Sequence, residues 1–68
     1  MVKEEENSIV QRITELRTEH RDLDQVITAM SRQPHIDQLL LRRLKKRKLF
    51  IKDMITKLRS LLIPDLDA

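Results

Sequence analysis

Six of the seven residues at positions 42–48, RRLKKRK, are Lys or Arg. Cations spaced this closely can bind phosphates, which gives affinity for nucleic acid without reading its sequence. On an amphipathic helix they can instead contact an anionic membrane surface. The third interpretation is the solvated side of a helix, and we favour it. If the cluster does bind phosphate, the contacts come from the cations on the side away from the apolar residues: Arg42, Lys45, Lys46 and Lys52.

Other features give nucleic-acid binding little support. Phe50 is the only aromatic residue, so stacking platforms for bases are missing, and no helix-turn-helix or zinc-ligand pattern accompanies the cluster. The first half of the chain also offers internal partners for the cations, namely Glu15, Glu19, Asp22 and Asp24.

His20 and Asp24 are four residues apart and would share one face of a helix, where they could supply two metal ligands. Two ligands do not make a site, and His35 lies far along the chain. Ser8, Ser31 and Ser60 have no neighbouring base with an orienting group, so no activated nucleophile is predicted. We therefore predict no catalytic, metal or cofactor site, and a protein that is not an enzyme.

The composition indicates long helices. The chain has 68 residues with no glycine, two prolines and 37% charged residues. It lacks cysteine, which is consistent with a reducing cytoplasm. We expect neither a signal peptide, because the amino-terminal residues are acidic, nor a transmembrane segment, because the apolar runs are short.

Helix 1 is predicted over residues 8–32. Ser8 and Gln11 form a capping-box pattern, and Pro34 forces the helix to end. Between them a heptad seam repeats with spacings of three and four residues and contains one histidine: Ile9, Ile13, Leu16, His20, Leu23, Ile27 and Met30. Residues 1–7 are expected to be a flexible acidic segment.

Helix 2 is predicted over residues 38–62, with Asp37 as its N-cap and Pro64 after its end. The short loop 33–37 makes the helices antiparallel neighbours, so one hairpin domain covers residues 8–63 and a tail covers 64–68. Folding the hairpin at Pro34 brings Leu16 level with Ile51. It also places five polar residues in one layer across the seam: His20, Arg47, Lys48, Glu19 and Asp24.

The apolar residues of helix 2 cover an arc of about 200°, whereas those of helix 1 cover about 100°. One partner helix cannot bury the wider arc. We therefore predict a coiled-coil-like two-helix hairpin of the all-α class that pairs into an antiparallel four-helix dimer. The interface residues on the uncovered flank would be Leu39, Phe50, Met54 and Leu61. A protein partner's helix could occupy the same flank.

Three segments resemble the YdcH-like family of small bacterial proteins of unknown function: EHRDLDQVI at 19–27, Pro34 with Asp37, and LKKRKLFIKDMI at 44–55. The resemblance implies a tropomyosin-like helical hairpin in a bacterial cytoplasm, and it implies no established activity. Met54 departs from the family pattern, where glutamate is commoner, and it widens the apolar flank. The positions that carry the resemblance are Glu19, His20, Leu23, Asp24, Leu44, Lys45, Lys46, Lys48, Leu49, Lys52, Asp53 and Ile55.

Overall fold

The computed structural model describes residues 3–62, which form two α-helices joined by one loop. Helix α1 spans Lys3–Ser31 and helix α2 spans Gln38–Leu62. The two helices pack against each other along the hairpin, so the predicted all-α two-helix architecture is confirmed. The predicted tail 64–68 and the stop at Pro64 lie outside the described residues.

Helix α1 begins at Lys3 rather than at Ser8. Residues 3–7 are therefore helical, and they are not the flexible segment expected from the sequence. The physical reason is the run of Glu4, Glu5 and Glu6 in the first turn, because carboxylates are stabilised by the positive end of the helix dipole. Ser8 consequently lies inside the helix and does not cap it.

Local hydrogen bonds in the loop stabilise the end of α1 and the start of α2. The amides of Arg32 and Gln33 donate to the carbonyls of Ala29 and Met30, at 3.2 and 3.1 Å, and tighten the end of α1. At the other side the Leu40 amide donates to the Asp37 carboxylate at 3.0 Å. The predicted N-cap at Asp37 is thereby confirmed.

The core is a single strip between the two helices. Leu16 and Ile51, which the sequence places in one layer, are each only 1% exposed and are the most deeply buried side chains. Every member of the α1 seam is buried or half-buried. On α2 the same holds for a matching seam with spacings of three and four, here called the inner seam: Leu41, Leu44, Lys48, Ile51, Ile55, Leu58 and Leu62.

Candidate interaction surface and polar layer

Two ion pairs join α1 to α2 near the middle of the hairpin. Lys48 Nζ donates to Asp24 Oδ1 at 2.7 Å. Arg47 Nη2 lies 4.0 Å from Glu19 Oε2. The sequence predicted that these four residues lie in one polar layer with His20. In the structure they form these two ion pairs between the helices. All four side chains keep substantial solvent contact, so each pair contributes modestly to stability.

The Lys48 contact also affects the ionisation of Asp24. The hydrogen bond from Lys48 and its positive charge hold the pKa of the Asp24 carboxyl below its ordinary value, and nearby His20 lowers it further. Because the folded-state pKa is lowered, the pair's contribution to stability is present at neutral pH. It is lost as the pH falls below the ordinary carboxyl pKa and through the lowered one.

His20 occupies the polar position of the α1 seam and is half-buried. Its Nε2 atom is buried and makes no hydrogen bond to any residue between 3 and 62. A neutral imidazole at this position could accept a hydrogen bond from a cation of α2. Instead Lys48 donates to Asp24, which leaves Nε2 without a partner.

The described part of the chain assembles neither the metal ligands nor the serine nucleophile that were considered from the sequence. Among residues 3–62, no three His, Cys, Asp or Glu side chains come together in a group that could hold a metal ion. The hydroxyls of Ser31 and Ser60 donate to the carbonyls of Ile27 and Lys57, at 2.9 and 2.8 Å. These two hydroxyls are therefore engaged with the backbone of their own helices.

The basic cluster divides between two sides of α2. Arg47 lies on the flank beside the core, with its guanidinium 5.7 Å from the centre of the Phe50 ring, a cation–π distance. The four candidate phosphate contacts lie on the outer side and are exposed. None of them takes part in an ion pair within residues 3–62: Arg42, Lys45, Lys46 and Lys52.

The apolar flank predicted on α2 is open to solvent along most of its length. Leu39 is 65% exposed, Phe50 53% and Leu61 68%, while Met54 is half-buried. Val26 of α1 is exposed as well and lines a shallow groove between the two helices beside Arg47, which the sequence analysis missed. It was missed because Val26 lies outside the α1 seam. The groove brings Val26 next to Arg47 and Ile51.

Most of this flank belongs to a second regular stripe, here called the outer seam. Its members also repeat with spacings of three and four residues. Each member comes one position before an inner-seam residue, so the two seams are about 100° apart around the helix. Because a helix in a four-helix bundle contacts neighbours on two such sides, α2 has the pattern of a bundle helix. The outer seam consists of Leu40, Arg43, Arg47, Phe50, Met54, Lys57 and Leu61.

The fold and surfaces thus define a small helical hairpin with an uncovered apolar flank. Within the described residues, neither helix is long and apolar enough to cross a membrane. The family model "Protein of unknown function (DUF465)" matches residues 13–59. The chain therefore belongs to this family, the YdcH-like family of the resemblance noted above. No catalytic activity is indicated for the family. Comparison with curated proteins and with solved structures gives no match.

Proposed function

We propose that this protein is a non-enzymatic interaction module of the bacterial cytoplasm that self-associates through the flank of α2 as a four-helix dimer. The observation that carries the proposal is the exposure of Phe50, Leu61 and Leu39 on one side of one helix. Large exposed apolar residues aligned along one side of a helix are typical of interaction sites. The core between α1 and α2 is also small, with five buried apolar side chains among the described residues.

Small domains of this size usually need a further source of stability, and pairing with a second copy is a common one. A second copy placed on the flank would bury Phe50 and Leu61 in the centre of a bundle. The Arg47 side chain would cover part of that interface, since its guanidinium already lies over the Phe50 ring.

Sedimentation of the wild-type chain from low to high micromolar concentration tests this proposal. We expect the mass of a dimer at the upper end and a shift towards the monomer on dilution. A well-folded monomer at high micromolar concentration would refute self-association.

A second candidate function is an accessory role in nucleic-acid binding through the outer side of α2. The observation that favours it is that Arg42, Lys45, Lys46 and Lys52 are exposed and make no ion pair within residues 3–62. Such cations are free to contact phosphates, and binding through them would weaken steeply with salt.

Replacing Arg42, Lys45 and Lys46 together by glutamine separates this candidate from a solvated helix face. We expect the variant to keep its helicity and to change the free energy of unfolding by less than ~0.5 kcal/mol, because exposed side chains without partners contribute little. Polarisation assays with duplex DNA and structured RNA at low salt are the second measurement. Binding by the wild type that is lost in the variant would establish the phosphate-binding function, whereas no binding by either would exclude it.

A further inference from the structure

We infer that α2 packs antiparallel against α2 of a second copy of this chain, with the two-fold axis beside Phe50. The inference rests on the proposed self-association; it adds the register and gives a physical reason for the antiparallel direction predicted from the sequence. The outer seam of one copy then faces the outer seam of the other, and each hairpin keeps its own core between α1 and the inner seam.

The position of the axis follows from the length and the pattern of α2. The helix spans Gln38–Leu62, so Phe50 is its middle residue and the midpoint of the outer seam. Full antiparallel overlap brings Phe50 against Phe50 of the second copy, an aromatic pair at the centre of the interface. The same overlap brings Leu40 against Leu61 of the second copy at each end of the interface. Met54 then lies against the stem of Arg47 of the second copy.

The direction follows from the distribution of charge along α2. Residues 38–50 carry six cations and no carboxylate, whereas residues 51–62 carry three cations and one carboxylate. A parallel pair would place the two six-cation halves side by side, and like charges at close range repel. The antiparallel pair separates those halves, because each lies along the less basic half of the other helix.

One like-charge contact remains in the antiparallel register, where Arg43 lies level with Lys57 of the second copy. Its repulsion is reduced by a carboxylate that is already in place, since Asp53 Oδ2 lies 3.7 Å from Lys57 Nζ. Both Arg43 and Lys57 are exposed in the isolated hairpin, and their long side chains can extend from the interface so that their charged ends stay in water.

The exposed surface is large enough for such a contact. The chain exposes 5820 Å², whereas a compact monomer of its mass exposes about 4,500 Å². The excess of about 1,300 Å² is more than the ~800 Å² that each partner contributes to a standard interface. The chain is correspondingly extended, with a Cα radius of gyration of 15.8 Å against about 11 Å for a compact chain of this length.

Disulfide trapping tests the register, because the chain has no cysteine of its own. The variants Arg43→Cys and Lys57→Cys are oxidised mildly, each alone and as a mixture that has been unfolded and refolded to exchange subunits. In the antiparallel register, residue 43 of one copy faces residue 57 of the other. The two copies of residue 43 lie about 20 Å apart along the helix axis, and the two copies of residue 57 are separated by the same distance. Both separations are far beyond the reach of a disulfide.

We expect the mixture to form the mixed disulfide about ten-fold faster than either variant forms a disulfide with itself, since only the mixed pair is within reach. The matched control is a mixture of Lys45→Cys and Thr56→Cys, which also come level with each other in this register but lie on the opposite side of α2 and should cross-link slowly. Self-linking of each variant that is faster than mixed linking would show a parallel pair and overturn the inference, because a parallel pair places residue 43 against residue 43 and residue 57 against residue 57. A dimer by sedimentation with no excess of mixed disulfide over the control would overturn the register alone. A monomer by sedimentation would instead refute the proposed self-association.

Discussion

The double variant Phe50→Lys, Met54→Glu is expected to sediment as a monomer at concentrations where the wild-type chain is a dimer. Both residues lie in the middle of the outer seam, and Phe50 is 53% exposed in the isolated hairpin. In the dimer the introduced charges would be buried against the second copy, and burying a charge without a full set of partners costs several kcal/mol. The variant should also unfold at a lower temperature and independently of concentration, because it loses the stability contributed by association.

The matched control carries the same two new charges on the other side of α2, as Leu49→Lys with Thr56→Glu. Leu49 is 66% exposed and lies outside both seams, so removing it should leave the dimer intact. Loss of the dimer in both double variants would show that the charge change itself, and not its position, is responsible. An intact dimer in the outer-seam variant would mean that the interface lies elsewhere on the hairpin.

Much of the fold could be predicted from the sequence because the chain has few alternatives. Without glycine, and with Pro34 between two seams, the pattern of apolar residues fits helices and one hairpin. The spacing of the α1 seam also identified its buried side, and Asp37 identified the start of α2, where its carboxylate accepts from the Leu40 amide. In each case a local rule and the packing of the whole hairpin favour the same structure.

The start of α1 could not be predicted in the same way. An acidic stretch such as Glu4, Glu5 and Glu6 is compatible with a flexible segment, and it is equally compatible with the first turn of a helix. No apolar position in that stretch distinguishes the two, whereas Ser8 and Gln11 gave a plausible cap further along. The structure shows the helical alternative.

The position of the polar layer along the hairpin could be predicted from the sequence, but the ion pairs within the layer could not. The level of the polar layer follows from the hairpin register, which depends on backbone geometry. The choice of partners depends on side-chain reach: Lys48 extends to Asp24, one turn from His20 on α1, and Arg47 reaches Glu19. The second heptad spacing on α2 was visible in the sequence, but arginine and lysine at three of its seven positions obscured it as an apolar stripe.

The variant His20→Leu is expected to be more stable than the wild type, by about 1–2 kcal/mol. The buried Nε2 atom makes no hydrogen bond within residues 3–62, and an unsatisfied buried polar atom costs about 1–3 kcal/mol. Leucine would remove that cost and extend the apolar seam between Leu16 and Leu23. For a chain of this size the gain corresponds to a rise of roughly 4–16 °C in the melting temperature, measured by circular dichroism.

The same substitution should make the association less specific. A polar residue in an otherwise apolar seam fixes the register, because slipped arrangements leave it in a worse environment. Sedimentation and the trapping of residue 43 against residue 57 are therefore expected to show more than one arrangement or oligomer in the leucine variant. The conservative variant His20→Gln is the control, since it keeps a polar group in the layer and should keep one arrangement. If His20→Leu were clearly less stable while its association was unchanged, the imidazole would have to stabilise the hairpin, and the polar layer would not have the role proposed for it.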